Sequence, residues 1–259
     1  MLSATILFCL LLAWTGRSFH LLTTSGAIMT LLVGSGVSFG FGWQGLVVLL
    51  LFFGSSSLLS KVGRSRKQSV DSIVEKDGAR DGWQVLANGG VAFVAALAYA
   101  MTMDFAYLLL FLFVIAASNA DTWASEIGPL SRRDPWSLKT LRRVPAGTSG
   151  AMSLIGTVGT IAGAAFIAVA AHWIFSLSLR DVLLVTSIGV LGSLLDTLFG
   201  AVGQRVYRCS VCGEYTEKRE HHGQPTVYVS GIRLLGNDAV NVLTSGLASG
   251  IGFIIIRFW

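Results

Sequence analysis

The chain has 259 residues, of which 53% are hydrophobic and only 13% charged, with a net charge of +5 and a mean hydropathy of +0.68. Soluble domains carry about 25% charged residues, so a water-soluble globular fold is excluded, as is disorder, which requires far less apolar surface. Three cysteines do not make a disulfide framework, and the first basic residue, Arg17, comes too late for the charged head of a secretory signal.

A transmembrane helix needs about 20 apolar residues. Residues 1–16 carry no charge and predict a short first span. Residues 19–60 lack Asp, Glu, Lys and Arg and are long enough for two spans, with the break at Gly40-Phe41-Gly42-Trp43, where glycine meets an interfacial aromatic. Further spans are predicted over 82–103, over 105–120 with an extension through Asp121-Thr122-Trp123-Ala124, over 144–179 with the helix beginning near Gly150, over 182–204 interrupted by Asp196, and over 239–256. The expected architecture is all-α. It is a single polytopic membrane domain over 1–259 with about eight transmembrane helices and three polar loops at about 61–83, 127–149 and 205–236. The shortness of the first stretch leaves seven as the alternative count.

In this arrangement the odd-numbered connections hold every Lys and Arg except Arg180 and Arg257. Positive-inside bias then puts those connections in the cytoplasm and both termini outside; the inner (plasma) membrane of a cell is the expected location. Membrane lipids are expected partners, since basic loops also attract anionic headgroups. No nucleic-acid partner is expected, and oligomeric state is not legible.

Acids inside spans are costly and mark function. Asp104 and Asp181 begin helices and read as caps. Asp121, Glu126, Asp196 and Asp238 instead fall near one depth at the cytoplasmic ends of three helices, given 1.5 Å of rise per residue. Their neighbours are small and polar: Ser118, Asn119, Thr122 and Ser125 on one helix, Gly192, Ser193 and Thr197 on another, Asn237 and Asn241 on the last, and Gln84 and Asn88 at the start of the fourth span. Interhelical hydrogen bonding accounts for single Asn and Ser residues. For Asp121 and Asp196 a shared Mg²⁺ is the better reading, because Mg²⁺ takes one or two carboxylates plus substrate phosphates.

The polar loops add further candidates. The run Lys139-Thr140-Leu141-Arg142-Arg143-Val144-Pro145-Ala146-Gly147-Thr148-Ser149-Gly150 leads toward a helix and combines glycines, hydroxyls and cations, as phosphate sites do. It is not a Walker motif, and capping by Ser149 is the plain alternative. Lys76 and Arg80 lie next to the fourth span and are placed to hold a second phosphate, with a solvated turn as the alternative. The basic run 61–67 reads equally well as topology signal. Cys209-Ser210-Val211-Cys212-Gly213, followed by His221 and His222, is half of a zinc-ribbon pattern. Structural Zn²⁺ and an unmetallated loop both fit it.

The runs 84–90 (QVLANGG), 119–128 (NADTWASEIG), 144–150 (VPAGTSG) and 192–201 (GSLLDTLFGA) resemble an integral-membrane family, long of unknown function, that includes the chloroplast phytyl-phosphate kinase. The resemblance covers nearly the whole chain from about residue 15. The family is distantly similar to phytol and dolichol kinases, which use CTP, and to membrane cytidylyltransferases. The resemblance implies phosphorylation of an isoprenyl monophosphate (phytyl, geranylgeranyl or farnesyl phosphate) to the diphosphate by a nucleoside triphosphate, CTP foremost. Asp121 and Asp196 would hold Mg²⁺ with Glu126 and Asp238 in support. Gly147, Thr148, Ser149 and Gly150 would cradle the nucleotide phosphates beside Arg142 and Arg143. Lys76 and Arg80 would hold the acceptor, and Asn88, Asn237 and Asn241 would orient ligands or metal. The Cys209-Cys212 loop resembles one in relatives, whereas His221-His222 departs from their fuller Cys/His spacing. A lipid-phosphate flippase and a CDP-lipid-forming cytidylyltransferase are the competing expectations.

Overall fold

The computed structural model describes residues 2–64, 67, 70, 73–75 and 78–258, with side chains from Thr5 onward. Its helices are α1 (Leu2–Ser18), α2 (Thr24–Leu59), α3 (Gly82–Thr102), α4 (Phe105–Ile127), α5 (Leu154–Phe175), α6 (Leu179–Val202) and α7 (Asn237–Arg257). Their starts have local causes. Thr23 and Ser153 accept hydrogen bonds from Gly26 N and Gly156 N, and Asp104 accepts one from Ala106 N. Asp81 with Gln84, and Ser178 with Asp181, form reciprocal capping boxes. Asp104 and Asp181 therefore cap helices, as their positions predict.

A straight helix of 36 residues would be about 54 Å long, far beyond the ~30 Å hydrocarbon core. Instead α2 breaks at Gly42 (φ 61, ψ −150), a conformation essentially restricted to glycine. Beyond the break the chain folds back. A Cβ on Gly45 would lie 2.7 Å from Val37 Cγ1, and one on Gly34 would lie 3.8 Å from Leu46 Cδ2. Both ends of α2 also reach Arg80, whose carbonyl accepts from Thr23 N (3.0 Å) and whose Nη1 donates to Ser57 Oγ (3.1 Å). So α2 is a hairpin of antiparallel arms, 24–41 and 43–59, reversing where the sequence predicts. Among the described residues six helices, α2–α7, are long and apolar enough to cross a membrane, with α2 taken as one and α1 shorter.

The central helix is α4, whose residues 111–120 are all buried. It packs against α2, α3, α5, α6 and α7 through small residues that allow close approach, as at Gly163 against the Asn119 carbonyl and Gly252 against Phe113. One end of the bundle is closed by Arg257 Nη2 donating to Asp104 Oδ2 (2.6 Å) and Gln44 Nε2 donating to Ile174 O (2.8 Å). The described residues of the connection 60–81 and the connections 128–153 and 203–236 lie at the other, polar end.

Two features depart from the plain all-helical reading. The segment 144–153 is not helical: β1 (Trp136–Ser137) pairs with β2 (Ala151–Met152), and α5 starts only at Leu154. Pro145 and the left-handed Gly147 (φ 88) and Gly150 (φ 71) prevent an earlier start. The last polar connection is a small β module. Its sheet has the order β4 (Tyr215–Thr216), β3 (Val206–Arg208), β7 (Val227–Ser230), and a hairpin of β5 (Glu220–His221) and β6 (Gln224–Pro225) stands beside it.

Candidate functional site

The polar ends of the helices surround a cavity of about 860 Å³, within the about 300–1,000 Å³ typical of ligand pockets. Its floor comes from α4 and α6, which run in the same direction. Small residues let them touch: a Cβ on Gly189 would stand 2.9 Å from Ala116 Cβ, and one on Gly192 would stand 2.5 Å from Ala117 Cβ. Asp121 follows Ala117, and Asp196 follows Gly192, by one helical turn, about 6 Å further toward the polar end. Both line the cavity and the small pocket next to it. The Thr244 hydroxyl of α7 donates to Asp196 Oδ2 (3.2 Å).

Beneath this floor a second pocket of about 10 Å³ is lined by Asn88, Asp121, Asp196 and Asn241. That is room for about one water-sized particle. Asn241 Oδ1 is buried with no hydrogen-bond partner among the described residues, while Asn88 Nδ2 donates to Gln84 O (2.9 Å). Two carboxylates and an orphaned amide oxygen form an all-oxygen donor set, which fits a hard divalent cation. Asn119 has a different role. It ties helices together, donating to Gly163 O (2.7 Å) and accepting from Ser55 Oγ (3.3 Å).

Cations line the side of the cavity. Arg80 donates to Ser57 and lies 5.1 Å from the Phe53 ring centroid. Burial lowers its pKa and the charge of Glu126 opposes that shift; arginine remains protonated at neutral pH. Lys67 Nζ donates to Glu126 Oε2 (2.6 Å) and to Leu59 O (2.7 Å), with its side chain only 8% exposed. Lys61 and Arg64 stand further out on the lining. Lys76 lies outside the described residues.

The glycine loop lines the same cavity through Gly147, Thr148, Ser149 and Gly150. A Cβ on Gly150 would sit 2.2 Å from Ala201 Cα, so the loop presses directly on α6. The Thr148 hydroxyl donates to Pro145 O (2.8 Å), and Ser149 Oγ donates to Glu217 Oε1. Ser149 is thus not a helix cap; Ser153 caps α5. Arg142 and Arg143 do not line the cavity. They sit on the exposed turn after β1, where Arg143 stacks 4.7 Å from the Trp136 ring centroid and donates to Asp134 O. Asn237 and Asn241 line the cavity but Asp238 does not, because consecutive helical residues point about 100° apart.

Sequence reasoning passed over Glu217 and read Lys67 as part of a plain basic run. Glu217 belongs to the β module, and it accepts from Ser149 and from Glu75 N (3.2 Å). Burial raises its carboxyl pKa above the usual range, against those two hydrogen bonds. Glu75 in turn pairs with Arg205. Neither Glu217 nor Lys67 sits in a periodic or motif context, so nothing local marks it.

The Cys/His candidates lie apart from the cavity lining. The turn between β3 and β4 is closed by Gly213 N donating to Cys209 O (3.0 Å), with Gly213 at φ 77. Val211 N donates to Cys209 Sγ (3.3 Å). The Cys212 N–H, above all, lowers the Cys209 thiol pKa to about 7. His221 Nδ1 lies 3.6 Å from Cys212 Sγ. Ligand atoms of Cys209, Cys212 and His221 all fall within 4.8 Å of one another. His222 is not in that group: it and Gly223 are the two positive-φ residues of the β5–β6 turn.

The model of the family Integral membrane protein DUF92 matches residues 7–249. The chain belongs to this family. It is 32% identical to Protein PGR of Arabidopsis thaliana over 88% of both chains. It is also 31% identical to an uncharacterized membrane protein of Methanocaldococcus jannaschii, over 79% of this chain and 84% of the relative. A more distant relative is Protein VTE6, chloroplastic, of Arabidopsis thaliana, 22% identical over 92% of this chain and 66% of the relative. No solved structure matches significantly. Every cavity residue named above falls inside the DUF92 match.

Proposed function

We propose that this DUF92 protein is a membrane kinase that phosphorylates an isoprenyl monophosphate to the diphosphate, with a nucleoside triphosphate, CTP first among them, as donor. The observation that carries the reading is the meeting of Asp121 and Asp196 with Arg80 and Lys67 in one large cavity at the polar end of an apolar bundle. An isoprenyl tail suits the bilayer and the apolar helices, while its phosphate suits the cationic side of the cavity. The nucleotide arrives from the aqueous side, and Gly147 to Gly150 line the cavity. An ionised oxygen of the acceptor phosphate attacks the γ-phosphorus. The bond from that phosphorus to the β,γ-bridging oxygen breaks, and the nucleoside diphosphate leaves. No strong general base is needed, so positioning and charge neutralisation supply the rate. Asp121, Asp196 and Asn241 would hold Mg²⁺, which when bound neutralises phosphate oxygens. Arg80, supported by Ser57, and Lys67, oriented by Glu126, add positive charge beside it.

A flippase requires a polar route to the opposite end. Residues 111–117 of α4, which are buried and apolar, stand across that route, and this favours the kinase reading. The test uses purified protein in detergent, γ-labelled CTP, UTP and ATP, and prenyl phosphates of several lengths, with products resolved by chromatography. The expected products are prenyl diphosphate and nucleoside diphosphate, with activity abolished by EDTA. Release of inorganic diphosphate with a CDP-lipid would replace the kinase by a cytidylyltransferase. Nucleotide-independent lipid movement in liposomes would replace it by a transporter.

A further inference from the structure

We propose that the β module at 203–236 is a zinc module, in which Cys209, Cys212 and His221 hold one structural Zn²⁺, with water in the fourth position, that fixes the module over the cavity. Geometry carries this beyond the motif. A tetrahedral zinc with Zn–S about 2.3 Å and Zn–N about 2.0–2.1 Å separates S and N ligands by about 3.6 Å. Cys212 Sγ and His221 Nδ1 are 3.6 Å apart. The Cys209 sulfur lies with them in one group and accepts the Val211 N–H at 3.3 Å, as a thiolate in a metal knuckle does. Gly213, at φ 77, makes the tight return after Cys212. Glu214 Oε2 lies 3.9 Å from Cys212 Sγ but outside the group that Cys209, Cys212 and His221 form, so the fourth position falls to a water. Two thiolates and an imidazole form a soft set that selects zinc over Mg²⁺ or Ca²⁺.

The site joins two pieces of backbone from different strand pairs. The knuckle belongs to the β3–β4 turn, whereas His221 comes from the separate β5–β6 hairpin. A cation between them locks the hairpin onto the sheet. The same sheet carries Thr216, which donates to Ile73 O (2.9 Å), and is followed by Glu217, which contacts Ser149 and Glu75 N. Metal binding would therefore steady the 73–75 segment and the glycine loop, both of which line the cavity. This inference does not depend on the reaction proposed above.

The experiment measures metal content of the full-length protein, purified without added metal or chelator and then equilibrated with Zn²⁺, by mass spectrometry. About one zinc per chain is expected. Cys212→Ser and the Cys209→Ser/Cys212→Ser double variant should lose it, and His221→Ala should bind it weakly. His222→Ala should keep it. Glu214→Gln should keep it, because the fourth position belongs to water, and loss of zinc there would overturn this ligand set. Cobalt substitution should give the visible bands of a tetrahedral thiolate complex. A zinc chelator should raise hydrogen exchange in 206–230 and in 73–75. Wild-type protein without zinc after equilibration, a Cys209–Cys212 disulfide in the freshly purified protein, or full zinc retention in the double variant would each overturn the proposal.

Discussion

A charged aspartate inside a membrane helix is costly, by about 2.5–3.5 kcal/mol at its centre, and Asp121 and Asp196, toward the polar ends of α4 and α6, still demand compensation. Thr244 supplies one hydrogen bond of that compensation, and a divalent cation, which would also satisfy the orphaned Asn241 Oδ1, would complete it. Asparagine keeps the shape of each side chain and removes the charge. Asp121→Asn and Asp196→Asn should each lower turnover by about 10²–10³-fold, the scale of losing one electrostatic contact to a reacting group. Relief of like-charge repulsion should leave the thermal midpoint in detergent unchanged or higher. Initial rates and scanning fluorimetry on the same preparations decide this, and near-normal turnover removes the residue from the site. Glu217 makes a different prediction. Its folded pKa is raised, so the folded state holds a proton that the unfolded state releases. The resulting stability is present below the ordinary carboxylate pKa and declines as pH rises from there to the raised value. Glu217→Gln should flatten this decline while keeping the Ser149 contact, as measured by thermal midpoints across acidic to neutral pH.

At the scale of elements, the close contact of α4 with α6 sets the relation of the two aspartates. A Cβ on Gly192 would overlap Ala117 Cβ at 2.5 Å, and overpacking of this kind costs about 1–3 kcal/mol. Gly192→Val should force the helices apart and reduce turnover at least tenfold with every polar site residue retained. The same change combined with Ala117→Gly should recover part of the rate, a rescue that a merely unfolded variant would not show. The elements themselves were largely legible. Charge-free runs locate α3, α6 and α7 to within a few residues, and the glycine and aromatic cluster locates the reversal at Gly42, because bilayer thickness and hydropathy act on each segment alone. The strand pairs were not legible: two-residue strands such as Trp136–Ser137 have no period to detect. The late start of α5 was hidden for a related reason, since 144–153 is uncharged but committed to turns by Pro145, Gly147 and Gly150. Asp121, Asp196, Asn88 and Asn241 could be placed from depth along their helices. Glu217 and Lys67 reach the cavity from the connections between spans, whose paths follow from long-range packing that no local pattern encodes.

For the whole molecule, asymmetry between the two ends is the governing feature. The polar end holds the cavity, the β module and, among the described residues, all basic residues of the connections except Arg180, while Arg257 pairs with Asp104 at the other end. Carrying the basic connections across a bilayer is disfavoured, so the polar end should face the cytoplasm. Met103 is 69% exposed at the opposite end, and Lys139 is exposed on the polar side; neither lines the cavity. Cys9 and Cys209 are buried, which leaves Cys212 as the native exposed thiol, and its reaction provides the baseline. In sealed right-side-out vesicles, Met103→Cys should react at once with a membrane-impermeant maleimide, whereas Lys139→Cys should react only after permeabilisation. The reverse pattern would invert the protein in the membrane and put its cavity out of reach of a cytoplasmic nucleotide, removing the donor on which the proposed reaction depends even though every side chain in the site kept its place.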